Sequence, residues 1–159
     1  NRGVRYIFDP GQSIPAWDGG DLKEMATGAL ALIVNDYELE MFQQKTGLDL
    51  TGILKLTPHL ITTRGEQGSL IQTDRGVNEV PAVPPRQVLD PTGAGDAYRA
   101  GLLKGLALGL DWLEAARMGA VLASFCVAQQ GTQEHRLEVP EFWSRYAENF
   151  GTPPEADRA

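Results

Sequence analysis

The run Ala29-Leu30-Ala31-Leu32-Ile33-Val34 contains no polar side chain. A strand with one wet face alternates apolar and polar residues. An unbroken apolar run, stopped here by Asn35, reads as a strand buried on both faces. Such a strand needs cover above and below, so helices must flank the sheet. Leu60-Ile61-Thr62-Thr63 repeats the pattern. Between the two runs the period turns helical. Asp36 to about Lys45 is a predicted helix with Leu39 and Phe42 inward, Met41 beside them and Gly47 closing it. A second short helix is predicted over Leu50 to Leu56.

The remaining elements follow the same cues. Val4 to Phe8 favours a strand and is stopped by Asp9-Pro10-Gly11; residues 11–20 read as a loop. Asp21 and Glu24 have capping-box spacing for a short helix. Ser69 to Thr73 is a strand, Asp74-Arg75-Gly76 a hairpin turn, and Val77 to Val83 and Gln87 to Leu89 are extended. Pro81, Pro84 and Pro85 confine the latter two to edge or irregular positions. From Gly93 to Leu108 the period is helical. Asp111 and Glu114 open a strongly apolar helix over Trp112 to Gln129, and Glu141 to Asn149 forms a last helix after Pro140. Residues 1–150 are expected to fold and Gly151 to Ala159 to be a disordered tail. Strands alternating with helices predict an α/β fold with a largely parallel sheet.

Composition narrows the function classes. The chain has 159 residues, 42% of them hydrophobic, and a net charge of −7. That acidity argues against nonspecific nucleic-acid or polybasic membrane binding. One cysteine, Cys126, excludes an intramolecular disulfide and a multi-Cys zinc site, and His59 and His135 match no metalloprotease spacing. No apolar run is long enough to span a bilayer, and no signal peptide opens the chain. A cytoplasmic protein is expected. The chain begins at Asn1, without Met and close to a strand, which reads as a segment of a longer protein.

Three polar turns carry chemistry. The first is Asp90-Pro91-Thr92-Gly93-Ala94-Gly95-Asp96-Ala97-Tyr98, read as a strand ending at Leu89, a glycine turn and a helix. The first N–H groups of a helix lack intrahelical partners and, with the macrodipole, attract anions. Asp96 on the first turn repels an anion, yet makes sense as a base beside a transferred phosphoryl group. The bland reading is a glycine turn with an acidic first helical turn. The second is Thr63-Arg64-Gly65-Glu66-Gln67-Gly68, whose glycines suit either phosphate contact or a plain hairpin turn. The third is Asn35-Asp36-Tyr37-Glu38, where Asn35 and Glu38 suit either a hydrated Mg²⁺ or an ordinary helix cap. In open α/β sheets ligands bind beyond the carboxyl ends of strands, so three such turns on one edge reinforce one another. No GK[ST] or GxGxxG pattern is present.

Together the three motifs resemble, in order and spacing, the PfkB (ribokinase-like) family of sugar and nucleoside kinases. The likeness covers nearly the whole chain to the tail. The Asp-Pro-Thr variant, with Phe8-Asp9-Pro10-Gly11-Gln12 upstream, is similar to bacterial adenosine-kinase-like members. The resemblance implies a ribokinase-like three-layer α/β/α fold with a mainly parallel sheet, here without the family's N-terminal half and lid. It implies Asp96 as general base and the N–H groups of Gly93, Ala94 and Gly95 as an anion hole. Asn35 and Glu38 would organise Mg²⁺ through water, and Thr63, Gly65 and Gly68 would face the ATP phosphates. Asp90 and Thr92 would help form a monovalent-cation site, usually K⁺, completed near Gly131. The loop from Gln129 to His135 would border the adenine.

The implied activity is transfer of the γ-phosphate of MgATP to a hydroxymethyl group of a nucleoside or sugar, adenosine favoured. A homodimer of the full-length protein is the assembly considered. The alternatives are a sugar kinase of the ribokinase or fructokinase type, a nucleotide-binding fragment without catalysis of its own, and a structural α/β domain. Arg99 suits a phosphate contact or a surface ion pair equally. Trp112, Met118, Leu122, Phe125 and Cys126 read as core, and Gly101, Gly105 and Gly109 as close packing.

Overall fold

The computed structural model describes residues 3–132 and 136–155. The expectations for His135 and for the end of the tail, from residue 156, lie outside the described residues. The chain divides into two compact units: residues 1–65 with 69–79, and residues 66–68 with 80–159.

The first unit is built on two buried strands: β1 (Leu32–Asn35), which begins three residues into the predicted run and takes in Asn35, and β2 (Leu60–Thr63), as predicted. They pair in parallel, with Leu32 opposite Leu60 and Asn35 opposite Thr63. Parallel pairing requires a crossover. Helices α2 (Asp36–Thr46) and α3 (Leu50–Leu54) supply it. Strand β3 (Ser69–Thr73) runs antiparallel to β2, because residues 64–68 are too few for a crossover, and β4 (Gly76–Val80) follows through a two-residue turn. The order is β1-β2-β3-β4, so the sheet is mixed rather than mainly parallel. On one face Leu32, Val34 and Leu60 pack with Phe42, Ile53, Leu22 and Ile14. Ile33, Ile61 and Ile71, in register on three adjacent strands, are buried on the other face.

Several local expectations change. Val4 to Phe8 reduces to a single parallel bridge from Phe8 to Leu32. It still exchanges three backbone hydrogen bonds with the segment at β1, but Pro10 ends the ladder. Residues 11–16 form a 3₁₀ turn that buries Ile14. The Lys45 ammonium ties this turn down by donating to the carbonyls of Pro15 and Trp17 at 2.8 and 2.7 Å. Helix α1 (Gly19–Ala26) is capped by Asp18, not Asp21: the Asp18 carboxylate accepts the Asp21 N–H. A Cβ at Gly19 would stand 2.0 Å from the Lys45 carbonyl oxygen. That close approach goes with a helix start three residues earlier than the Asp21 and Glu24 spacing suggests.

In the second unit, Gln87 to Leu89 is no strand. The N–H groups of Leu89 and Asp90 both donate to the Val127 carbonyl, so the segment leans on a helix end. Helices α4 (Ala94–Ala107), α5 (Trp112–Val127, capped by Asp111) and α6 (Val139–Phe150) complete the unit. Gly101 and Gly105 bring α4 onto α5: a Cβ at Gly101 would meet the Met118 carbonyl at 2.7 Å, and one at Gly105 the Ala115 Cα at 2.7 Å. Gly119 returns the contact against the Tyr98 carbonyl. Gly109 has no such neighbour and lies in the left-handed region just after α4. Met118, Phe125 and Cys126 are buried, while Trp112 and Leu122 are half-buried. Arg145 fixes α6 to α5 with its guanidinium 3.7 Å above the Phe125 ring and an N–H donated to the Ser124 hydroxyl.

Replacing glycine by alanine inside an open helix stabilises by about 0.8–1 kcal/mol. Gly101→Ala should do the reverse, losing about 1–3 kcal/mol through overpacking against the α5 backbone. Urea unfolding midpoints of the variant and the parent chain measure the sign directly.

Candidate active site

In the first unit the register of β1 and β2 sets Asn35 and Thr63 side by side at the carboxyl edge of the parallel pair, with Ser69 opposite Thr63. Two of the three predicted turns therefore share one edge. Asn35 is the N-cap of α2 in a full capping box. Its Oδ1 accepts the Glu38 N–H at 2.7 Å, and Glu38 Oε2 accepts the Asn35 N–H at 2.9 Å. This pulls the Glu38 side chain inward, so it is buried on the first turn of its helix. Beside Thr63, Arg64 forms an ion pair with Glu79 of β4. Gly65 opens a short 3₁₀ turn over Gly65–Gln67.

The pair fits a Mg²⁺ held through water and not a direct cage. One oxygen of each side chain already accepts a backbone N–H. Among the described residues no group of three or more His, Cys, Asp and Glu could hold a metal. A hydrated ion keeps its own waters and asks for one carboxylate.

In the second unit the geometry centres on Asp90. Its Oδ1 accepts the Thr92 N–H at 2.9 Å and its Oδ2 the Gly131 N–H at 3.1 Å. The Thr92 hydroxyl and N–H and the Gly131 N–H hold the Asp90 carboxyl below its ordinary value, against the smaller opposing effect of desolvation. It is therefore a fixed anion beside Thr92 and fits a monovalent cation as a charge partner. Gly93 is left-handed, with φ +85°, and a Cβ there would come within 3.1 Å of Thr132. The left-handed angle favours glycine, and a side chain would also press on Thr132. Thr132 belongs to the loop expected to border the adenine, but its packing on Gly93 has no local sequence signal. Gly68 lies in this unit too, where a Cβ would collide with the Val80 carbonyl at 2.1 Å. Packing alone thus demands glycine at position 68.

Helix α4 starts directly on Gly93 with no side-chain cap. The Ala94 N–H closes the turn on the Pro91 carbonyl at 3.1 Å. The Ala94 N–H is thus engaged within the turn in this structure. The helical pattern leaves the N–H groups of Gly95 and Asp96 without intrahelical acceptors. The Asp96 carboxylate is 87% exposed, with Arg99 Nη1 3.6 Å away. Behind the turn, the Cys126 thiol is 3.7 Å from the Thr92 carbonyl and 3.9 Å from that of Thr132. Burial, then the charges of Asp90 and Asp96, push the thiol's pKa up, so it stays protonated and unreactive. Contrary to expectation, the Asp90 turn follows no strand; it is held by Asp90 itself and by α5.

A glycine-started helix with a carboxylate on its first turn, together with a βαβ unit ending in Asn35 and Thr63, defines an α/β protein of ribokinase-like fold. The chain belongs to the pfkB family of carbohydrate kinases, whose model matches residues 1–139. A nucleoside kinase of Methanothermobacter thermautotrophicus is 32% identical over 148 residues, which cover 92% of this chain and 47% of that protein. A nucleoside kinase of Methanocaldococcus jannaschii is 36% identical over 126 residues, covering 79% and 42%. The solved nucleoside kinase of Burkholderia thailandensis in complex with inosine superposes with a TM-score of 0.92 at 40% identity, covering 96% of this chain and 50% of that one. The chain spans about half the length of the curated relatives it matches. Among the described residues no helix is long and apolar enough to cross a membrane.

The lowered Asp90 pKa fixes the sign of a pH effect. A carboxyl whose folded value lies below its unfolded value stabilises above the unfolded value, and that contribution is lost as pH falls through the folded one. Asp90→Asn should therefore melt below the parent chain at neutral pH. The gap should narrow only as pH drops below the ordinary aspartate value, about 3.9. Thermal midpoints of both chains across that range measure it.

Proposed function

We propose that the chain carries the nucleotide-binding and catalytic part of a kinase that moves the γ-phosphate of MgATP to a hydroxymethyl oxygen of a nucleoside, adenosine first among acceptors. The observation that carries this is the start of α4. An exposed carboxylate, Asp96, stands on the first turn of a helix whose N–H groups form an anion site. Phosphoryl transfer needs these two functions side by side: a proton acceptor for the attacking hydroxyl and donors for the transferred group.

In this mechanism Asp96 takes the hydroxyl proton as the acceptor oxygen attacks. The N–H groups of Gly93, Ala94 and Gly95 would meet the phosphoryl oxygens. Thr63, Gly65 and Gly68 would face the ATP phosphates. Asn35 and Glu38 would hold Mg²⁺ through water; the ion's role is to neutralise phosphate charge. Asp90 and Thr92, with the Gly131 loop, would hold a monovalent cation. A nucleoside acceptor is supported by the Burkholderia thailandensis nucleoside kinase, solved in complex with inosine and with ADP-inosine.

A second reading is nucleotide binding without turnover by this chain alone. It rests on the chain's spanning about half the length of its relatives. Phosphate transfer to adenosine, inosine and ribose separates the two: transfer to adenosine supports the first, and MgATP binding without transfer supports the second.

Asp96→Asn should lower turnover by about 10²–10⁴-fold, the usual worth of a general base, with MgATP affinity retained in calorimetry. Near-normal turnover would remove Asp96 from its role. Glu38→Gln tests the proposed Mg²⁺ role in the first unit, because glutamine also completes a capping box. Its melting temperature should stay near that of the parent, while the Mg²⁺ concentration giving half-maximal turnover should rise.

A further inference from the structure

Helix α4 holds a basic side chain where its own field disfavours one. Arg99 lies three residues after Asp96 and four after Gly95, and helical side chains lean toward the N-terminus. Its guanidinium therefore covers the first turn. Nη1 lies 3.6 Å from Asp96 Oδ1 and 2.8 Å from the point where a Cβ of residue 95 would stand. The missing side chain of Gly95 is thus the seat of the guanidinium. The Arg99 side chain is only 22% exposed, whereas that of Asp96 is 87% exposed. A helix N-terminus carries partial positive charge, so a cation packed there opposes the macrodipole. The Asp96 carboxylate offsets part of that cost, and a cation on this turn also favours an incoming anion.

The proposed chemistry supplies the reason. Asp96 sets a negative charge beside the γ-phosphoryl group, and backbone N–H groups answer it only with dipoles. A guanidinium at the same turn adds a full positive charge, and its planar fork matches two phosphoryl oxygens.

We propose that Arg99, seated on Gly95, is a further catalytic residue: its guanidinium binds oxygens of the γ-phosphoryl group as the group passes to the acceptor. The inference rests on the kinase reading given above. In the step, the acceptor oxygen bonds to the γ-phosphorus and the bond from that phosphorus to the β,γ-bridging oxygen breaks. ADP leaves with the electron pair, the acceptor proton goes to Asp96, and Arg99 keeps its own protons.

The test is calorimetric titration of the full chain with MgADP and with the magnesium complex of β,γ-imido-ATP. Arg99→Gln should weaken the triphosphate about tenfold to a hundredfold, the range for hydrogen bonds to charged groups, and leave the diphosphate within about twofold. Arg99→Lys keeps the charge but loses the fork, and should fall between. Thermal melts show whether each variant is folded; if Arg99→Gln is not, the lysine variant carries the comparison. Equal losses for both nucleotides, or none, would overturn the role of Arg99 while leaving the kinase reading intact. A parent chain that binds neither nucleotide would overturn both.

Discussion

The chemistry of the second unit depends on one carboxylate. Asp90 accepts the N–H of Thr92 with one oxygen and that of Gly131 with the other. Each bond joins a charged acceptor to a backbone donor, the stronger kind of hydrogen bond. The first folds the turn that leads into α4. The second anchors the loop after α5, forty-one positions further on. With both in place, the Gly93 backbone lies against Thr132, where a side chain would be crowded. The first turn of α4, where Asp96 stands, is located by these contacts rather than by a helix cap.

The rest of α4 is held as firmly, by a different means. Gly101, Gly105 and Gly119 let the α4 and α5 backbones approach without intervening side chains. Such a contact permits little sliding, because displacement brings backbone against backbone. The glycines cost intrinsic helix stability; close packing offsets that cost. A helix so seated gives its N-terminus a fixed position, which an electrostatic site requires, since preorganised dipoles act only where they are already aimed.

Much of this was legible in the residues. β2 is where its apolar run places it, because burial on both faces leaves an unambiguous signal, and β3 is where the glycine turn returns the chain. The ends of α2 follow from Asn35 and Gly47, and the start of α5 from Asp111. Less was legible where two residues offer the same chemistry: Asp18 and Asp21 both suit a cap, and the packing of Gly19 decided between them. Gln87 to Leu89 has the composition of a strand but found a helix end as its partner. Within the candidate site the motifs named the residues, while their relations depended on the fold. The pairing of Asn35 with Thr63 is a matter of register, and the contact of Gly93 with Thr132 spans a whole helical hairpin. The helix-cap reading of Asn35 and Glu38 is the one the geometry displays: the box engages the single side-chain oxygen of Asn35 and one of the two carboxylate oxygens of Glu38.

The single thiol acquires an unplanned use from its position. Cys126 is fully buried and lies between the carbonyls of Thr92 and Thr132, so no reagent reaches it while the two loops are closed. Its labelling is gated by local opening and not by its own nucleophilicity. The rate at which it captures a small thiol reagent therefore reports how often these loops part. Anything that clamps them shut would register as slower labelling, with no engineered probe, because the chain holds no second cysteine to confuse the count.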